Sequence, residues 1–310
     1  MWCNHLIFKP IGSQAVRVFE AELFEEFQRI KYAVSTWFPS KGLDKIELNY
    51  ITGDNNIVGP SASTNLISID ETFLSAFWNY CWGLIFAAPL GNSDKGNANK
   101  FSNPYSSLSY SHDLFFYGFS KWDLYNLPNP ELRQKEIIGN INFINQVFSI
   151  GLYYIFFHEF AHIIRGDNLK VEPTKSEYHD MEFSCDKYAF DVFVASMDVE
   201  EPINMMGLLC AIGMLTYSST FYERYTKKHP FPDLRLENLI QGFIDKTDLK
   251  KNSNFWTIAT WILFTWDFMK NRVFMGAENS VLTVQEIKDG DLKDVFYKTL
   301  HRLQLKKIWG

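Results

Sequence analysis

Three polar side chains interrupt one of the most apolar runs of the chain: His158, Glu159 and His162 in YIFFHEFAHIIRGD. Residues four apart lie on one face of a helix, so both imidazoles can point at a single metal ion. Zinc takes nitrogen ligands at roughly 2.0 to 2.1 Å, and two histidines supply half of a tetrahedral site. Glu159 is displaced by about 100° around the helix. It would therefore flank the ion as a general base, and the pattern predicts a hydrolytic zinc site.

A different reading of this motif is a pair of core histidines with internal hydrogen bonds, with Glu159 paired to a base. Burying three ionisable groups together without a metal or partners is costly. The flanking residues are uncharged and would form the dry wall that a zinc site needs. The metal interpretation is therefore favoured.

The segment EYHDMEFSCDKYAFDVF offers the third ligand. If it is helical, Glu182 and Asp186 share a face. We predict that Glu182 binds the metal and that Asp186 accepts the outer N–H of a ligand histidine, namely His158. The other acidic and imidazole candidates in this segment are His179, Asp180 and Asp191.

A second zinc-peptidase pattern, H-E-x-x-H-x-x-G-x-x-H, is excluded. Arg165 stands at its glycine position and Asn168 at its final histidine position. A glutamate as the third ligand is the better choice.

The stretch KKHPFPDLR places His229 and Arg235 around the start of a helix. A donor aimed at a developing oxyanion can contribute roughly 2.7 to 4 kcal/mol. We predict that this pair stabilises the oxyanion or the substrate. An exposed loop histidine and a solvated surface arginine are the alternative.

The motif needs a helix that ends just after it, and Gly166 is suited to a left-handed C-cap. A helical pattern runs from Asn129, with Pro130 following, to Arg165. The stretch before Asp70 alternates like two or three short strands, and Asp70 is a predicted N-cap. Residues 91–111 are rich in Gly, Asn and Ser and predict a surface loop. Further helices are predicted at about 19–34, 70–87, 176–197, 202–225, 232–243, 254–269 and 292–305.

These elements predict an α+β fold that is mostly helical, with a small N-terminal β-sheet. We divide it into an N-terminal α+β part, residues 1–100, and a helical catalytic part, residues 112–310. A single compact unit is the alternative. With 310 residues the chain can bury a sizeable core, and its net charge of −6 makes nucleic acid an unfavourable partner.

The four cysteines lie far apart, as is typical of a reducing compartment. The N-terminus lacks the pattern of a secretory signal. Three uncharged runs, residues 72–93, 137–157 and 202–222, are long enough to cross a bilayer. Each contains polar or helix-breaking residues, so buried helices of a cytoplasmic protein are the expectation. The basic, aromatic C-terminal segment is expected to be a solvated amphipathic helix, and contact with a membrane surface is the alternative.

In this order, HEFAH, EFSCD with Glu182 and Asp186, and HPFPDLR with His229, Pro230 and Arg235 resemble the Lit-type family of phage-exclusion metallopeptidases. That family is distantly similar to HtpX-like zinc peptidases. The resemblance implies a zincin-like intracellular endopeptidase with Zn²⁺, activated by a phage-derived trigger, with elongation factor Tu as the type of target. Cys185 and Asp167 depart from the closest family pattern.

Two other functions stay open: a catalytically idle sensor or binding protein on a peptidase fold, and an integral-membrane HtpX-like peptidase. The role of Cys185 also has two interpretations. It could modulate the zinc or be a buried structural thiol.

Overall fold

A computed structural model describes residues 20–51, 59–88, 104–117, 138–226, 230–271 and 280–305. Within these residues the chain forms a three-stranded sheet and ten α-helices, so the mostly helical α+β class is confirmed. The helices are α1 (Glu20–Trp37), α2 (Glu71–Ala87), α3 (Pro104–Tyr117), α4 (Ile138–Arg165), α5 (Lys175–Ser196), α6 (Pro202–Thr226), α7 (Pro232–Lys246), α8 (Ser253–Asn271), α9 (Val284–Asp289) and α10 (Leu292–Leu305).

The sheet contains β1 (Glu47–Ile51), β2 (Ser61–Ala62) and β3 (Leu66–Asp70) in the order β1-β3-β2. The β1 strand is parallel to β3, and the short β2 strand is antiparallel to it. β2 is therefore an edge strand of the described sheet, and it also contacts α4. This contact brings one edge of the sheet to the helix that carries the two histidines.

Helix boundaries follow the capping residues. The Asp70 carboxylate accepts hydrogen bonds from the backbone N–H groups of Thr72 and Phe73, which confirms it as the N-cap of α2. Gly166 has a φ of 70°, so the left-handed end of α4 is confirmed as well. Thr174 and Glu177 form a reciprocal capping box at the start of α5. The short link 166–174 consequently returns the chain from α4 into α5.

Close approach of α4 to α6 sets the position of the motif helix in the core. A Cβ atom on Gly207 of α6 would lie 2.5 Å from Cγ2 of Ile150 and 2.8 Å from the carbonyl oxygen of Val147, both in α4. Only glycine fits this crossing without a shift of one helix. The α4 helix also packs against α5, α1 and α2, so it is covered on several sides.

The predicted loop 91–111 is wrong in its second half, because α3 begins at Pro104 and packs along α2. A Cβ on Gly83 of α2 would lie 2.4 Å from Cγ of Leu108, and Ser111 donates a hydrogen bond of 2.8 Å to the carbonyl oxygen of Ala76. Tertiary burial here overrides a composition that is typical of loops. The predicted helix start at Asn129 lies outside the described residues.

One cluster of buried hydrophobic side chains extends from Leu23 in α1 to Leu303 in α10. It contains residues of both predicted parts, 1–100 and 112–310, and that division stays a prediction. By length and hydropathy, one of the described helices, Gly139–Arg165, could cross a membrane, and 72% of its apolar window is buried inside the protein.

Candidate functional site

The last two turns of α4 bring His158 and His162 onto one face, as the four-residue spacing predicts. Their ring centroids are 4.9 Å apart with the planes at 79°, and their Nε2 atoms are separated by 3.3 Å. His158 is almost fully buried, whereas the side chain of His162 is 16% exposed. Both Nε2 atoms therefore point at the same small volume.

Glu182 reaches this volume from α5. Its Oε2 atom lies 3.6 Å from Nε2 of His158, and its Oε1 atom lies 3.5 Å from Nε2 of His162. Of the acidic and imidazole candidates in this segment, Glu182 is the one that joins both histidines in a possible metal group. The structure thus places all three predicted ligand residues together.

The three ligand residues are spaced as a tetrahedral zinc ion requires. For bonds of roughly 2.0 to 2.1 Å, ligand atoms at tetrahedral angles are separated by about 3.3 to 3.4 Å. Here the two Nε2 atoms are 3.3 Å apart, Oε1 of Glu182 is 3.5 Å from Nε2 of His162, and the other carboxylate oxygen, Oε2, is 3.6 Å from Nε2 of His158. Two imidazole nitrogens and one carboxylate are also a donor set used by catalytic zinc, which keeps a fourth position for water.

Asp186, one turn after Glu182, contacts the outer side of His158. Its Oδ1 atom lies 2.9 Å from Nδ1 of His158, although the contact is too bent to be a regular hydrogen bond. Both side chains are buried. The structure thus places Asp186 next to the histidine that it is predicted to orient.

Arg235 of α7 lies behind Asp186. Its Nε and Nη2 atoms donate hydrogen bonds of 2.8 and 2.7 Å to the two oxygens of Asp186, and Nη2 is 3.4 Å from Oε2 of Glu182. These contacts make Arg235 a support for Glu182 and for Asp186 behind His158. The sequence patterns did not predict this supporting role. Its predicted role as an oxyanion donor stays a prediction. His229 lies outside the described residues.

Asp167 and Cys185 contact the outer side of His162, a role for Asp167 that no sequence pattern predicts. Oδ2 of Asp167 is 3.4 Å and Sγ of Cys185 is 3.3 Å from Nδ1 of His162. The position of Asp167 in the sequence could have indicated this contact, because Asp167 directly follows Gly166, where the chain turns at the end of the motif helix. These three residues also form a second possible metal group.

The electrostatic field of the site favours a cation. Burial acts to lower the pKa of His158, but the Asp186 and Glu182 carboxylates outweigh burial and raise that pKa to about 10. Burial acts to raise the pKa of Asp186, yet the Arg235 guanidinium and His158 hold it below its usual range. Asp167 behaves similarly: contacts with His162 and Arg165 overcome burial and lower its pKa to about 2. A divalent cation among the three ligand atoms would meet the same negative field.

A cavity of about 500 Å³ opens onto the ligand atoms. Glu159, the predicted general base, is 4% exposed and lines this cavity. On one side the cavity is bordered by the segment Gly59, Pro60, Ser61 and Ala62, which includes the edge strand β2. A surface cavity of similar volume lies between the ends of α5 and α7, and it contains none of the predicted site residues. The cavity next to the histidines is therefore the candidate substrate site.

Comparison with known proteins adds the family. The family model described as Peptidase U49 matches residues 67–259, which is more than half of the chain and includes most of β3, the motif helix, Glu182, Asp186 and Arg235. No curated protein and no solved structure matches the chain. The chain therefore belongs to the peptidase U49 family, whose name identifies it as a hydrolase of peptide bonds.

Proposed function

We propose that this protein is a zinc-dependent endopeptidase. The observation that carries the proposal is the convergence of His158, His162 and Glu182 on one volume, at separations that suit tetrahedral zinc, beside Glu159 in the same cavity. A bound zinc would act as a Lewis acid and lower the pKa of a water molecule.

The residues of this chain would divide the reaction between them. Glu159 would accept the proton of the attacking water and deliver it to the leaving amide nitrogen. Asp186 and Arg235 would keep His158 and Glu182 in place during this exchange. His229 and Arg235 are proposed to stabilise the oxyanion that forms as the peptide carbonyl is attacked.

A peptide substrate would enter alongside β2. This strand is at the edge of the described sheet and borders the cavity that contains Glu159. An extended peptide can add to an edge strand through main-chain hydrogen bonds. Such binding would hold an unfolded stretch of a protein substrate across the ligand atoms.

The biological role is proposed from the resemblance to Lit-type peptidases. It comprises cleavage of a cytoplasmic protein, with elongation factor Tu as the candidate target, in phage exclusion or antiviral defence. A phage-derived molecule would trigger the activity.

The test is cleavage by the zinc-loaded protein and its Glu159→Gln variant in a cell lysate, with new protein termini identified by mass spectrometry. Glu159→Gln keeps the shape of the side chain but removes the base, so cleavage should fall by about 10² to 10⁴-fold while zinc stays bound. Glu200→Gln removes the same charge from an exposed site and should cleave like the wild type.

Undiminished cleavage by Glu159→Gln would contradict the proposal. Zinc binding without any cleavage, with a closed set of four protein ligands, would favour the idle sensor instead. Retention in the membrane fraction after a carbonate wash would favour the integral-membrane peptidase.

A further inference from the structure

The outer side of His162 is as closely packed with polar atoms as its metal-facing side. Nδ1 of His162, Oδ2 of Asp167 and Sγ of Cys185 lie 3.3 to 3.4 Å from one another. Asp167 and Cys185 are both buried. An imidazole that binds a metal through Nε2 needs an acceptor for the hydrogen on Nδ1 to fix its tautomer and ring orientation.

Two cations also contact the Asp167 carboxylate. Nε of Arg165 donates a hydrogen bond of 3.1 Å to Oδ2 of Asp167, and Nζ of Lys170 is 3.5 Å from Oδ1. Arg165 is the last residue of α4, and Gly166 makes the left-handed turn between Arg165 and Asp167. The carboxylate is thus fixed to the same helix end that carries His162.

We propose that Asp167 is a positioning residue, whose carboxylate accepts the Nδ1 hydrogen of His162 and holds Nε2 toward the metal. The inference rests on the proposed zinc site. It gives each histidine its own carboxylate and arginine: His158 has Asp186 with Arg235, and His162 has Asp167 with Arg165. The Cys185 thiol donates to the same Asp167 oxygen and fills the space beside the ring.

The two supports differ in their exposure to solvent. The Arg235 side chain is 3% exposed, whereas the side chains of Arg165 and Lys170 are 38% and 45% exposed. Salt screens exposed ion pairs far more than buried ones. The support of His162 therefore depends more strongly on ionic strength than the support of His158.

The same three atoms could instead hold a second metal ion. Arg165 and Lys170 argue against this, because both already place positive charge on Asp167. Nε2 of His162, by contrast, faces Glu182 and His158. These three residues line the cavity, where an ion can enter.

The test compares the zinc affinity of Asp167→Asn with that of Asp180→Asn, measured by competition with a chromophoric chelator. An Asn amide can donate to Nδ1 and favour the tautomer that carries a hydrogen on Nε2. Loss of such an outer partner typically weakens metal binding by 10 to 100-fold, and we expect a loss in that range. Asp180 is an exposed residue of α5 and its variant should bind zinc like the wild type.

Arg165→Gln is the second variant, because its half-exposed side chain should be replaced without loss of folding. It removes the anchor of Asp167 and should weaken zinc binding by less than Asp167→Asn does. Zinc affinities of Asp167→Asn and Arg165→Gln equal to that of Asp180→Asn would overturn the inference.

Cobalt substitution separates positioning from ligation. With cobalt in the wild type we expect no sulfur-to-cobalt charge-transfer absorption. Such absorption, if abolished by Cys185→Ser, would mean that the metal binds to Asp167 and Cys185, and the inference would be wrong. Both measurements are made without substrate, so a protein that binds zinc in this way but cleaves nothing would contradict the proposed function alone.

Discussion

Arg235 and Asp186 form a bidentate pair at 2.7 and 2.8 Å, and their side chains are only 3% and 4% exposed. The pair joins α7 to α5 directly behind His158. Because a buried carboxylate that loses its partner stays charged in an apolar surrounding, such pairs are costly to break. The metal site and the packing of α7 on α5 therefore share one interaction.

Replacing Arg235 by Met should lower the free energy of unfolding by about 3 to 5 kcal/mol, because it removes the bidentate guanidinium partner of the buried Asp186 carboxylate. Urea denaturation of the metal-free protein measures the loss. Arg302→Gln is the matched control, since Arg302 pairs with Glu286 at a partly exposed site and should contribute about 1 kcal/mol or less. Equal effects of the two substitutions would contradict the role assigned to Arg235.

His162→Ala should abolish stoichiometric zinc binding, because it removes one of three protein ligands and leaves an incomplete site. Metal content after gel filtration, measured by atomic emission, checks this. His301→Ala removes an exposed histidine of α10 and should leave about one zinc per chain. A variant at position 162 that keeps its zinc would place the metal elsewhere.

Asp70 should make stability fall as the pH rises. Burial raises the pKa of its carboxyl to about 6, against the opposing hydrogen bonds from Thr72 and Phe73. Because the folded pKa lies above the unfolded value of about 3.9, the protonated form favours folding, and this contribution is lost as the pH rises to about 6. Asn caps a helix as well as Asp does and does not ionise.

The Asp70→Asn variant should therefore match the wild type near pH 4 and be more stable at pH 7. After allowance for solvent screening, we expect a gain of about 1 to 2 kcal/mol. Urea denaturation at the two pH values gives the difference. A gain that is the same at both pH values would rule out ionisation of Asp70 as its cause.

Gly207→Ala should destabilise the protein by about 1 to 3 kcal/mol, because the new methyl group would overlap Ile150 and the backbone of α4. Gly139→Ala is the control: nothing lies within 4 Å of its added Cβ, and alanine favours a helix. The midpoint temperature of thermal unfolding should thus fall for Gly207→Ala and rise slightly for Gly139→Ala. If Gly207→Ala left the midpoint temperature unchanged, α4 and α6 could move apart without a loss of stability.

Much of the fold can be predicted from local sequence signals. The predicted helices 176–197 and 202–225 agree with α5 and α6 to within one residue at each end, because a capping threonine and a first-turn proline mark where each begins. The helix α3 could not be predicted in this way. The residues that lead into it are rich in Gly and Ser, which is typical of a loop. Its packing as a helix depends on the close tertiary fit of Leu108 on Gly83.

The sequence by itself determined that His158 and His162 share a face with Glu159 beside them, since helix periodicity acts over four residues. It also marked Gly166 as the point where the chain must turn. The tertiary structure decided which distant residues meet that face. Glu182 joins the ligand atoms, Arg235 pairs with Asp186 across 49 positions, and Asp167 lies against His162. These contacts depend on how α4, α5 and α7 pack, which no local pattern specifies.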